Sequence, residues 1–150
     1  MRTRPVALAF AAAAGLALAS PFPALGATGQ TVLTTTLTGA EIPGGGDPDG
    51  SGTAHIVIGP GNRVCFRLVM RNIGPVIASH VHEGPPGVIG FHHAAELDGP
   101  LVTLSDGTQV KRGCSTSPEA AAIVANPSNY YVNVHNRPFV AGAVRGQLGD

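Results

Sequence analysis

Two short segments hold most of the side chains that can do chemistry: Ser79-His80-Val81-His82-Glu83-Gly84, and near the end Tyr130-Tyr131-Val132-Asn133-Val134-His135. In an extended strand successive side chains point to opposite faces, so His80 and His82 share a face with Cα atoms roughly 6.6 Å apart. Two imidazoles at that spacing can converge on one ion, and His135 on a later strand offers a third nitrogen. His92 and His93 are adjacent and point opposite ways on a strand, so at most one of them joins the set as a fourth ligand. The chemistry this predicts is ligation by neutral imidazoles, with copper(II) bound more tightly than zinc in the usual divalent order. Ligation requires deprotonated rings, so affinity is expected to fall below about pH 6.5.

Each of these residues also has a plainer reading. His80 and His82 can pin the loop that follows them to the sheet by hydrogen bonds. His55 reads as an outward strand residue and Asn133 as a cross-strand hydrogen-bonding partner. Arg145 is expected to pair with a carboxylate such as Glu41 or Glu83. Tyr130 and Tyr131 fall on opposite faces, one facing the core and one the surface.

The elements that must position these side chains are short strands. Residues 31–37 are rich in Thr and other β-branched types. Residues 52–58 alternate Ala54, Ile56 and Ile58 against Thr53, His55 and Val57. After the turn Gly59-Pro60-Gly61-Asn62, residues 63–71 place Val64, Phe66, Leu68 and Met70 on one face, and the two runs read as a hairpin. Strands are also predicted over residues 75–82, 91–97 and 101–104. Residues 130–135 and 143–148 form a second hairpin across residues 136–142. One or two helical turns fit between Pro118 and Ala125, with Ser117 as cap, Pro118 at the first position and Pro127 as the stop. About eight short strands with one short helix predict an all-β, antiparallel, Greek-key-like β-sandwich.

The first residues set the expected compartment. Arg2 and Arg4 precede a nearly unbroken Ala/Leu run from Val6 to Ala19, and small residues follow at Ala24-Leu25-Gly26. This is the pattern of a secretory signal peptide over residues 1–26, with cleavage anywhere between Ala19 and Gly26. The apolar run is too short for a membrane anchor and ends at Pro21 and Pro23. The expected location is extracellular or periplasmic, with no membrane insertion after cleavage. Residues 27–150 suffice for one domain and are too few for two. They carry seven basic and nine acidic side chains, a nearly neutral balance that argues against a nucleic-acid partner. An exported protein or surface ligand is the expected partner.

Cys65 and Cys114 are the two cysteines of the chain. An even pair in an exported chain predicts one disulfide, and alternation sets Cys65 opposite the Phe66/Leu68 stripe, away from the core. Closing a loop of ~50 residues would stabilise the fold by roughly 4 kcal/mol in the chain-entropy model. The chain has no Gly-x-Ser-x-Gly elbow, no phosphate-binding glycine loop and no His-Glu-x-x-His. Asp47 and Asp49 lack the further ligands of a calcium loop.

Several blocks carry a family resemblance. Leu37-Thr38-Gly39-Ala40-Glu41-Ile42-Pro43, Gly50-Ser51-Gly52-Thr53-Ala54, the two histidine segments and Gly142-Ala143-Val144-Arg145-Gly146-Gln147-Leu148 resemble the CHRD domain, in that family's order. The resemblance runs from about Thr31 to Leu148, and Cys65 and Cys114 fall where the family tends to place cysteines. It implies an exported β domain and brings no general biochemical activity with it, so a non-catalytic binding or structural module of the cell surface or extracellular space is the expectation. His80-Val81-His82-Glu83 is also similar to the copper-binding His-x-His strand of copper/zinc superoxide dismutases. That similarity implies a copper half-site with His92 or His93 as the intervening imidazole, His135 as the late-strand ligand and Arg145 as the cation near the metal. The zinc-loop spacing of that family is not recognisable here, so only the half-site carries over. The two functions to weigh are thus a non-catalytic binding or structural module and a copper protein, binding or redox-active, built on His80, His82 and His135.

Overall fold

Residues 31–37 do form a strand, because Thr, Val and Leu in alternation suit a pleated, half-buried surface. The computed structural model describes residues 29–149, so the predicted leader over residues 1–26 lies outside the described residues. Strand β1 (Thr31–Thr38) pairs with β2 (Ser51–Gly59), and β2 with β3 (Arg63–Arg71) in the predicted hairpin. The turn between β2 and β3 holds Asn62 at φ 59° beside Gly61 at 71°, left-handed positions that Asn and Gly tolerate. Then follow β4 (Val76–Glu83), β5 (His93–Glu96), β6 (Leu101–Thr103) and β7 (Gln109–Thr116). Helix α1 (Ala120–Ala125) precedes β8 (Tyr130–Asn136) and β9 (Val144–Gln147). The helix starts at Ala120 with Glu119 in the cap position, two residues later than expected, and Ser117 Oγ accepts from the Glu119 amide at 3.0 Å in the turn that precedes it.

All strand pairings are antiparallel, and the nine strands form one sheet in the order β5-β4-β8-β9-β1-β2-β3-β7-β6. The all-β expectation holds, with one strand more than predicted. The chain lays β1–β3 in one limb of the sheet, β4 and β5 in the other, and then β6 and β7 back in the first. It ends with β8 and β9 in the second, a Greek-key-like alternation. Between β9 and β1 the paired residues are Arg145 and Thr38, so the limbs hinge at a narrow seam and curl toward each other. The concave face encloses the core. Ile56, Phe66 and Leu68 from one limb pack into the same cluster as Val81, Val132 and Val134 from the other.

The missed strand is β7, and its pattern explains why. Its buried positions are Gln109 and Lys111, polar residues where alternation would lead one to expect apolar ones. They close the curled sheet side by side. Lys111 Nζ donates to Ser79 Oγ of β4 at 3.0 Å. Gln109 Nε2 donates to the Ile73 carbonyl at 3.0 Å, and Gln109 Oε1 accepts from the Val76 amide at 3.1 Å. Cys65 and Cys114 face each other across β3 and β7 and are joined as predicted. β6 pairs with Gln109–Lys111, so at Cys114 β7 is the outermost strand of the ladder and the bond lies on the outer margin of the sheet.

Candidate metal centre

Alternation along β4 sends Ser79 and Val81 into the core and His80 and His82 to the convex face. Along β8 it sends Val132 and Val134 inward and Tyr131, Asn133 and His135 outward. Every residue of β8 is nevertheless buried. Its convex face is roofed by the loop after β4 and by the β8–β9 connection. Tyr131 is therefore enclosed, which corrects the expectation that one of the two tyrosines lies at the surface; Tyr130 is the core partner.

Register assembles the site. Across β4, β8 and β9, His80 lies opposite Asn133 and Asn133 opposite Arg145, while His82 lies opposite Tyr131 and Tyr131 opposite Gln147. His135 lies opposite Ala78, diagonal to His80 on the same face. His80 Nδ1 and His135 Nε2 are 3.2 Å apart. On the other side of β4, His80 pairs with Glu96 and His82 with His93, and two residues, Ala94 and Ala95, occupy the space opposite Val81. That bulge matters. Strict alternation would put His93 and Glu96 on opposite faces, whereas the extra residue turns both toward the histidines. The Glu96 carboxylate then reaches His80 Nε2 at 3.3 Å and His93 Nδ1 at 2.9 Å.

The structure thus brings together His80, His82, His93 and His135. His93 stacks on His80 with ring centroids 3.9 Å apart, and ligand nitrogens of His80, His82 and His93 lie within 4.8 Å of one another. Between the two alternatives for a fourth imidazole, it is His93 that adjoins the cluster. His92 points away to bond the Glu119 carboxylate, which holds its imidazole above the usual histidine range. His55 is exposed on β2, far from this limb, as expected.

Carbonyl oxygens fix the tautomers. His82 Nδ1 bonds the Gly90 carbonyl at 3.0 Å and His135 Nδ1 the Val140 carbonyl at 3.0 Å. A carbonyl only accepts, so in both neutral rings Nδ1 carries the proton and Nε2 keeps its lone pair. His82 Nε2 is buried with no hydrogen-bond partner. Burial, reinforced by the neighbouring His93, pushes His80 and His82 down to about 4. Burial also lowers His135, partly offset by its bond to Val140. His80 and His82 are therefore neutral donors well below neutral pH, and His135 is displaced in the same direction.

The residues around the rings hold this arrangement in place, and among them Gly90 is one that the sequence did not single out. Tyr131 stacks on His82 at 5.2 Å between centroids and 8° between planes, and its hydroxyl accepts from the Gly90 amide at 2.9 Å. Gly90 has no room for a side chain, since a Cβ there would run into the Glu83 carbonyl. Arg145 lies with Cζ 3.4 Å from the Tyr131 ring centroid. It donates to the Val88 carbonyl at 2.7 Å, the Pro85 carbonyl at 3.0 Å and Gln147 Oε1 at 3.0 Å. It does not pair with Glu41 or Glu83 as expected; loop carbonyls and an aromatic face take the place of a carboxylate. Asn133 Nδ2 donates to the Ala141 carbonyl at 3.1 Å, so its partner is the roofing loop and not the adjacent strand.

The neighbouring polar atoms suit a metal. The 3.2 Å between His80 Nδ1 and His135 Nε2 is close to the edge, roughly 3.3 Å, of a tetrahedron with bonds of ~2.0 Å. His82, His93 and His135 line a cavity of about 290 Å³ that also touches Ile89, Phe91 and Arg145. Among the described residues no helix is long and apolar enough to cross a membrane. Residues 33–148 match the family described as the CHRD domain. No curated protein and no solved structure matches the chain.

Proposed function

Because the chain belongs to the CHRD domain family, matched over residues 33–148, we propose that it is an exported, non-catalytic binding module. Its working part, on this reading, is a copper site formed by His80, His82 and His135, with His93 as a fourth ligand. Export is supported by Arg2 and Arg4 ahead of the apolar run, and by the pairing of Cys65 with Cys114 on an exposed face.

One observation carries the metal reading: buried neutral imidazoles converge while backbone carbonyls occupy the far nitrogens of His82 and His135. Such partners orient metal-ligating histidines and fix their tautomer. Glu96 plays the equivalent part for His80, holding Nε2 and leaving Nδ1 for the metal. Copper(II) is favoured over zinc by the usual divalent order. Copper titration of the full chain should give one tight equivalent. His82→Ala and His135→Ala should each weaken it by at least about 100-fold, more than loss of an outer partner does, while His92→Ala should not change it. Equal affinity in all four proteins would leave the histidines a structural role only.

A second reading, a redox-active copper protein, draws on the cavity, which gives a small molecule access to the rings. Superoxide is the first substrate to try. Copper-loaded protein that does not accelerate its decay above the His82→Ala variant would return the molecule to the non-catalytic reading.

A further inference from the structure

The limb of the sheet without the histidine cluster gathers positive charge on its convex face. Of the basic side chains among the described residues, Lys111 and Arg145 are buried and Arg137 lies in the β8–β9 connection. The others, Arg63, Arg67 and Arg71 of β3 and Arg112 of β7, are exposed. They share the outward face with the disulfide, because Arg67 and Cys65 alternate with the core-facing Phe66 and Leu68, and Arg112 lies opposite Arg67. No Asp or Glu occurs in β1, β2, β3, β6 or β7. The chain as a whole is neutral, so its charges are segregated and not in excess.

Register makes that segregation costly. Arg67 and Arg112 are directly opposite on adjacent strands, which sets their Cβ atoms roughly 5 Å apart, and like charges so placed destabilise a sheet. Every ion pair among the described residues has a histidine as its cation, so no carboxylate relieves either guanidinium. Arg63 stands roughly 13 Å along β3 from Arg67. Its Nε donates to Cys65 Sγ at 3.2 Å, which leaves the terminal nitrogens for a ligand. Arg71, at the far end of the strand, is engaged by Thr108 Oγ1.

The surroundings select among anions. Thr34 and His55 continue the row of Arg67 and Arg112 across β1 and β2, and Thr36 faces Thr53 in the next row. These strands carry one aromatic residue, Phe66, and it belongs to the core. The exposed apolar side chains Val32 and Val102 lie on the flanking strands β1 and β6. The face therefore lacks the central apolar anchors of a protein interface, the broad apolar surface that enters a bilayer and the aromatic platforms that stack bases. It offers guanidinium forks, which match carboxylates, among hydroxyl groups.

We propose that this face binds an acidic polysaccharide built from uronate sugars. Its carboxylates accept from Arg63, Arg67 and Arg112, and its sugar hydroxyls meet Thr34, Thr36 and Thr53. The surface is independent of the copper site and draws on export only for meeting such a polymer.

Polygalacturonate is the probe, and its full methyl ester, the same backbone without charge, is the control. Calorimetric titration of the full chain at low salt should favour polygalacturonate over the ester by at least about 10-fold, the size of two or three exposed ion pairs together. Added salt should shrink that preference. Poly-glutamate and phosphatidylglycerol vesicles should bind more weakly than polygalacturonate. Arg112→Glu turns a repelling pair into an attracting one, so its urea midpoint should rise while its affinity for polygalacturonate falls about 10-fold. A folded variant that binds less well separates a binding role from a structural one. His82→Ala, on the other limb, should bind the polymer as the parent protein does. The proposal is overturned if the ester, poly-glutamate or the vesicles match polygalacturonate, or if Arg112→Glu keeps the parent's affinity. Those outcomes leave copper binding standing, and a failed copper titration leaves this surface standing.

Discussion

His80, His82 and His135 are held neutral by burial, and this ties their protonation to folding. In the unfolded chain histidines take up protons near pH 6.5. In the folded chain His80 and His82 do so only near 4. Between those values the unfolded state binds more protons, so stability must fall as the pH falls. The contribution is intact above about 6.5 and fully lost by about 4. The urea midpoint of the metal-free protein should drop across this window, and a flat profile between pH 7 and 4 would show that the rings are not buried as described. Copper should protect the protein in the upper part of the window, because the metal competes with protons for the same nitrogens. At this scale the sequence revealed a good deal: the His-x-His spacing alone set two rings on one face. It could not choose between His92 and His93, nor find Glu96, because both depend on a bulge at Ala94 and Ala95. Neither alanine carries a signal for a bulge in its side chain.

The loop between β4 and β5 works as a lid fastened from β9. Arg145 holds the carbonyls of Pro85 and Val88, Gln147 Nε2 holds that of Gly84 at 2.8 Å, and Gly90 meets His82 and Tyr131. Gly90→Ala forces its Cβ into the Glu83 carbonyl and must move the loop. We expect a loss of about 2–3 kcal/mol, typical of overpacking. We also expect a 10- to 100-fold loss of copper affinity, since His82 loses the partner that orients it. Denaturant unfolding and copper titration of one variant check both. The opposite sign is expected at Lys111 in β7. Its ammonium is buried against Ser79 Oγ, and burial lowers its affinity for a proton. Ser79 Oγ keeps its bond to the Leu97 carbonyl without it. Lys111→Met fills a similar volume without a charge to desolvate, so it should be neutral or stabilising by about 1 kcal/mol. A loss above about 2 kcal/mol would mean that Lys111 closes the sheet in a way that packing cannot replace. These inward polar residues also hid β7 from pattern reading, whereas β2, β3 and β8 keep apolar residues facing the core and were legible.

At the scale of the molecule, the chain crosses between limbs three times, and the limbs share one core and one narrow seam at Thr38 and Arg145. Neither limb can bury its concave face alone, so the protein should unfold as one unit, including the histidine face. The Cys65–Cys114 bond lies on the convex side of the other limb, its ends 49 positions apart in sequence. Its contribution is to the unfolded state, by closing a long loop, and not to the shape of the metal site. Replacing both cysteines with alanine should therefore lower stability by about 2–4 kcal/mol. The denaturation midpoints followed by backbone circular dichroism and by tyrosine signal should move together. Copper affinity under native conditions should stay within about 2-fold of the parent protein. A separate early transition at Tyr131, or a loss of copper affinity matching the loss of stability, would show that the disulfide limb and the histidine limb are not the two halves of one cooperative core.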